Sequence, residues 1–377
     1  MKTHRRLIRI SAVLLCLLML TGCWDSKELD DLSIPLIVAY DKILEKEKEY
    51  PDDKYLVTMG VPVFYEDVKE KFHVIDTTGQ IIGEARGRRN TQIGEQVIFG
   101  QLQLLLLGAE LGKKENLLEI TDAITRNPKV KASIFVIIAK GRAVDIMKTP
   151  IHSYPNVGIY LKALIESSRN TNFFPYTTLF HFNRDLISYE TAALLPHIAY
   201  AKGEVKLAGS CLVNKGKITG EMGREETETA VMLRGIECRG TLSFKVEEDG
   251  EVIDEATFEG TNSRKVTVER LDDKYAFNIQ IKLDGAIVEH KKLKPMQDGT
   301  DLMKVFQDSL EQHIKKRAEA LVEKTQEEFK FDALSLANHI KAHTREKLTK
   351  DDIDRIIQEA EINVEVNVQI RNAGGKM

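Results

Sequence analysis

Ile362-Asn363-Val364-Glu365-Val366-Asn367-Val368-Gln369-Ile370 alternates aliphatic and polar side chains over nine positions. Successive side chains of a strand point to opposite faces, so this period of two predicts a strand with one buried and one wet face. Upstream, Leu302, Phe306, Leu310, Ile314, Ala318 and Leu321 recur at helical spacing. Such a seam is core more often than docking surface. Asp332 is placed to cap a second helix and Thr349 a third, whose face holds Ile353, Ile356, Ile357 and Ala360. Before the helices, Lys265–Leu271 and Tyr275–Leu283 flank a turn at Asp272-Asp273. The last third therefore reads strand, strand, helices, strand: an antiparallel sheet covered on one side by helices.

Further upstream the texture differs. Between about 195 and 260 short strands predominate, at Val205–Val213, Lys217–Glu221, Thr241–Glu247 and Val252–Glu259. Asn214-Lys215-Gly216 and Asp249-Gly250 are hairpin turn signals, because Gly and Asn accept positive φ. A helix is expected over Glu225–Leu233. In the first half, strand patterns at Leu36–Tyr40, Tyr55–Val63, Leu102–Leu107 and Ser133–Ala139 alternate with helical ones. Those helices are expected at Gly79–Arg89, Glu115–Thr125 and Val157–Ser167. Alternation of this kind predicts a mixed α/β sheet. The fold class expected is α+β in three domains. Residues 23–195 form a mixed α/β unit, 196–258 a small middle antiparallel β-rich unit, and 259–377 an α+β unit.

The N-terminus sets the location. Lys2, Arg5, Arg6 and Arg9 precede an uncharged apolar run of eleven residues, Ile10–Leu20. A helix of that length covers ~17 Å against a hydrocarbon core of roughly 30 Å. It is too short to span but has the layout of a secretory signal. The run ends in Leu20-Thr21-Gly22-Cys23, which resembles the bacterial lipobox. Residues 1–22 are then removed as a signal peptide, and Cys23 receives a diacylglyceryl group and an N-acyl chain. Two or more chains, at about 0.8 kcal/mol per buried CH₂, give stable anchoring. Loss of the four cations takes the formal net charge from −4 to −8. So acidic a body is repelled by nucleic acid and by anionic headgroups. Of the remaining cysteines, Cys211 and Cys238 lack zinc-site spacing. They read first as buried free thiols and second as a disulfide, which an extracytoplasmic location permits.

The motifs of catalysis and metal binding are broken or missing. Gly112-Lys113 departs from a phosphate loop, with Leu107 at the first Gly position and Lys114 at the Ser/Thr position. His339 and His343 have zincin spacing, but Ile340 replaces the general-base Glu and no third ligand stands near. GxSxG and GxGxxG are absent. Arg86, Arg88 and Arg89 form a local basic patch. It reads as a solvated helix face, with contact to an acidic partner as the other reading. No enzyme, no metal and no cofactor besides the lipid is expected.

The start of the mature chain, Cys23-Trp24-Asp25 followed by Glu28-Leu29, resembles the opening of the Ger(x)C family of spore germination lipoproteins. Arg86–Asn90, Gln101–Leu111, Ala139-Lys140-Gly141, Leu207-Ala208-Gly209, Lys217–Gly220, Glu226, Leu233-Arg234-Gly235 and Gly374 resemble its later motifs. The chain departs in having fewer aromatics near Phe99–Gln101 and in the closing helices. The resemblance implies a three-domain α+β C subunit of a nutrient germinant receptor. It implies a position on the outer face of the inner spore membrane, beside integral membrane A and B subunits. Trp24, Asp25 and Glu28 are the candidate partner contacts. Trp suits the headgroup boundary, and the carboxylates favour partner loops over anionic lipid. Direct nutrient binding is not expected. The alternative, an extracytoplasmic nutrient-binding lipoprotein, requires two similar lobes, and the two ends of this chain differ in pattern. A cell-envelope hydrolase has no motif to support it.

Overall fold

A computed structural model describes residues 32–63, 71–188, 190–248, 250–271, 274–291, 302–344 and 347–373. The chain runs β1 (Leu32–Ser33), β2 (Ile37–Lys42), β3 (Tyr55–Pro62), β4 (Phe72–Gly79), α1 (Ile82–Arg89), β5 (Gln96–Val97), β6 (Leu104–Gly108), α2 (Ala109–Lys114) and α3 (Leu117–Thr125). It continues through β7 (Phe135–Ala139), α4 (Ala143–Met147), α5 (Val157–Thr171), α6 (Leu179–Ser188), β8 (Ala193–Ala201), β9 (Glu204–Asn214) and β10 (Lys217–Met222). After α7 (Arg224–Leu233) come β11 (Arg239–Glu248), β12 (Glu251–Leu271), β13 (Lys274–His290), α8 (Leu302–Lys324), α9 (Ala337–His343), α10 (Lys350–Glu359) and β14 (Glu361–Ala373).

Eight strands form the first sheet in the order β10-β9-β8-β7-β6-β2-β3-β4. β2, β6, β7 and β8 run parallel at its centre, with antiparallel strands on both sides. β6, β7 and the first part of β2 are unbroken apolar runs because both of their faces are covered. Val38, Leu105, Val136 and Ile138 pack with Ala85, Ile120 and Phe182 of α1, α3 and α6. Ile37, Leu104, Leu106 and Ile137 pack with Ile146, Leu161 and Ile165 of α4 and α5 on the other face. Asn116 and Asn156 begin α3 and α5 by accepting amide hydrogens from Leu118 and Ile159.

The second sheet has the order β11-β12-β13-β14. β11, β12 and β13 are antiparallel, as expected, and β14 adds in parallel to β13. The chain from β13 to β14 passes through α8, α9 and α10, the crossover that parallel pairing needs. Val364, Val368 and Ile370 are buried while Asn363, Glu365, Asn367 and Gln369 are exposed, so the alternation does what its period requires. Phe306, Leu310, Ile314 and Ala318 of α8 are fully buried in the same core.

The strands of the 196–258 segment divide between the two sheets. The β9–β10 hairpin extends the first sheet from β8, and β11 with the first part of β12 belongs to the second. A lone hairpin is marginally stable, and the open edge of β8 offers it a ladder to join. The 258/259 boundary falls inside β12, which pairs with β13 from Ala256 to Leu271. β4, β8 and α6 are elements that sequence reading missed.

Asp332, fully buried, stitches the two sheets together. Its carboxylate accepts amide hydrogens from Leu334 (3.1 Å), Leu336 (2.9 Å) and Ala337 (2.9 Å), and the Thr191 hydroxyl donates at 2.9 Å. Its carbonyl oxygen accepts from Ala192 N at 3.0 Å, just before β8. Arg234 spans the same seam, donating to Ala333 O at 2.8 Å and to Ala192 O at 3.0 Å. Removing a buried charge from such a network costs about 3–5 kcal/mol because its partners stay buried and unpaired. Asp332→Ala should therefore lower the unfolding free energy by that much, read as a lower urea midpoint, and Asp332→Asn by less. An unchanged midpoint for Asp332→Ala would remove Asp332 from this role.

Candidate functional site

Cys23, Trp24, Asp25 and Glu28, together with the signal segment 1–22, lie outside the described residues. So do Asp249, Gly374 and the Asp272-Asp273 turn.

In a parallel sheet, ligands favour the crevice outside the carboxyl ends of the strands. Here that position is filled from within. Asp41, near the end of β2, turns its carboxylate onto the start of α4. Its two oxygens accept from Ala143 N and Val144 N, each at 2.8 Å. Gly108 at the end of β6 makes the room, since a Cβ there would lie 2.1 Å from Asp41 Oδ1. Beside it, Arg142 holds Glu47 through two parallel hydrogen bonds of 2.7 Å. A recess of about 410 Å³ opens next to the pair, lined by Asp76, Thr78, Arg142 and Lys148 among others. Lys148 and Asp76 form an ion pair across it at 2.5 Å. Sequence reading missed Asp41; its signal was an acid directly after the apolar run ending at Tyr40.

The basic run of α1 is not a solvated face. Arg88 pairs with Asp53 at 2.8 Å and with Glu84, and its guanidinium lies 4.2 Å from the Tyr50 ring centroid. Arg86 donates to Ala123 O at 3.3 Å. Arg89 is buried, with its guanidinium 5.2 Å from the Phe99 ring centroid. Helical spacings of one, two and three turn these residues toward different neighbours, which a simple charge run conceals.

Cys211 and Cys238 are free, buried thiols. Cys211 packs in the first sheet's core and Cys238 in the second's, so no bridge joins them. His339 and His343 are not turned toward a shared ligand, because the His343 ring lies 2.9 Å from the His339 carbonyl oxygen. Among the described residues no group of three or more His, Cys, Asp or Glu is placed to hold a metal ion. No described helix is long and apolar enough to cross a membrane. Lys113 pairs with Glu221 at 2.7 Å, and Gly112 packs against Ile218. Glu226 accepts from Gly223 N at 2.9 Å and pairs with Lys324 at 2.8 Å, fastening α7 to α8.

The architecture is one already seen in a crystal. The structure of the GerBC protein superposes with a TM-score of 0.58, covering 89% of this chain and 97% of that one, at 17% identity. The family comparison gives the class its name. Residues 25–200 match the spore germination protein N-terminal domain, and residues 208–374 match the "spore germination B3/GerAC like, C-terminal" domain. The chain belongs to this family of spore germination proteins. Its relatives include the Bacillus subtilis spore germination protein YndF, 25% identical with 96% of each chain covered. Spore germination protein GerQC of Bacillus cereus is 22% identical over 81% of this chain and 82% of its own. Spore germination protein B3 of Bacillus subtilis is 22% identical over 97% of this chain and 98% of its own.

Burial pushes the Asp41 carboxyl up to about 6, against the pull of its two amide donors. The folded protein thus binds a proton more tightly than the unfolded chain between pH about 4 and 6. Stability from this group is complete below the unfolded value and is lost as pH rises through about 6. Asp41→Asn should abolish that loss, read as the difference in urea midpoint between variant and parent at pH 4 and pH 7. A difference that does not change with pH would contradict it. Burial also pushes Cys211 to about 12 and Cys238 to about 11. Both should resist iodoacetamide at pH 8 until urea is added, and non-reducing peptide maps should contain no 211–238 crosslink.

Proposed function

We propose that this chain is a lipid-anchored component of a spore nutrient receptor, acting beside two integral membrane subunits to trigger germination. One observation supports this reading above the others. The germination-family match begins at residue 25, two positions after the lipobox cysteine, and extends to residue 374. In this reading Cys23 bears the diacylglyceryl and N-acyl chains. They hold a body of net charge −8 on the outer face of the inner spore membrane, where electrostatic adsorption alone would fail. Trp24 sits at the headgroup boundary, and Asp25 and Glu28 meet loops of the membrane subunits. The component works through protein contact and performs no catalysis of its own.

Deletion of the gene should abolish or slow germination of the spores on at least one amino acid or sugar, followed as loss of refractility. Cys23→Ala should leave the membrane pellet and incorporate no labelled palmitate. Retention of that variant in the pellet, with no label on the parent, would refute the anchor. Unimpaired germination of the deletion strain on every nutrient would refute the receptor role.

A further inference from the structure

Among the described residues, Arg89 presents a buried cation without an acidic partner. It is 6% exposed, and its Nε has no hydrogen-bond acceptor. The contact made by its fork is a long one, Nη2 to Asn90 Oδ1 at 3.4 Å. Arg142 and Arg317 also leave Nε unbonded, but their forks hold Glu47 and Glu228. A buried guanidinium left this way is costly unless something charged reaches it.

Something can reach it. Arg89, Arg86 and Phe99 line an open basin of about 630 Å³, whose rim carries Lys129 and one carboxylate, Glu95. The same three side chains also line a hollow of about 20 Å³ beneath, walled by Ile124 and Val130. A hollow of that size holds one water or one methyl group. Tyr40 borders it, and burial raises its phenol to about 12, so the hydroxyl stays a donor beside the two guanidiniums. Three cations against one acid make this basin positive on a chain whose net charge is negative.

We propose that the basin is a binding site for a small carboxylate. Its two oxygens pair with the Arg89 fork, with Arg86 adjacent, and its short apolar end enters the hollow. A carboxylate puts both oxygens on the guanidinium side and its carbon toward the wall. A phosphate would drive further charged oxygens against Ile124 and Val130. The sequence argued against direct ligand binding from the lack of two matching lobes. This site needs no second lobe, since α1, the segment before β6, α3 with the segment after it, and Tyr40 of β2 all belong to the first sheet and its helices. It stands independently of the lipid anchor and of the receptor role.

Isothermal titration of the detergent-solubilised full chain tests it. Sodium acetate and sodium propionate are compared with sodium chloride and sodium phosphate at matched ionic strength and pH 7. The expected result is saturable one-to-one binding of the carboxylates, none with chloride, and at least tenfold weaker binding of phosphate. Arg89→Gln, checked for folding by circular dichroism, should lose at least tenfold. If it does not fold, Arg86→Gln combined with Lys129→Gln should lose at least threefold. Absence of saturable carboxylate binding, tighter phosphate binding, or parental affinity in the folded variants would overturn the proposal.

Discussion

The buried Asp332 carboxylate is the constraint around which the two sheets are arranged. A charge removed from water must be met by donors on every side. Here the donors come from both halves of the molecule: amides of 334–337 from one, the Thr191 hydroxyl from the other. Two guanidiniums surround the same turn. Arg234 reaches Ala333 O and Ala192 O, and Arg264 reaches the carbonyls of Leu233 and Leu334. Each of these bonds fixes backbone that would otherwise be buried and unpaired. Sliding one sheet over the other would break several at once, so the seam has one register.

That register makes the second core continuous with the first sheet's edge. Phe173, Leu194, Leu212 and Met222 from the first half pack into the cluster built by Phe258, Phe277, Phe306 and Leu310. Gly240 allows the close approach, since a Cβ there would lie 2.8 Å from the Phe173 ring and backbone nitrogen. The Leu233-Arg234-Gly235 motif, read in the sequence as a family mark, turns out to be part of this joint.

The first sheet also decides which spaces are filled by the chain itself and which stay open. At the carboxyl ends of the parallel strands, Asp41 and Gly108 close the crevice with the chain's own groups. The open, positively charged basin lies instead beside α1, where Arg86 and Arg89 face inward and Arg88 is consumed by Asp53 and Glu84. Three arginines in four positions thus divide into structural and available cations according to which neighbour each meets.

The sequence by itself determined the local elements whose period is strong. The β14 alternation, the α8 seam, the Thr349 cap and the doubly buried runs of β2, β6 and β7 all appear where their patterns placed them. It also determined the family, through motifs spread along the chain. β4 and β8 escaped because their side chains mix polar and apolar without a clean period: Phe72–Gly79 is half-buried, and β8 includes Pro196 and His197. α6 buries Leu179, Phe182 and Leu186 at helical spacing, a signal that was there to be read. Pairing belonged to the tertiary structure alone. A hairpin such as β9–β10 carries the same local signal whichever sheet it joins, and β14 alternates identically in parallel or antiparallel register. The roles of Arg89, Arg234 and Asp41 were likewise decided by partners far away in sequence. Burial, and the donors or acceptors that accompany it, is a property of the assembled neighbourhood and not of any local stretch of chain.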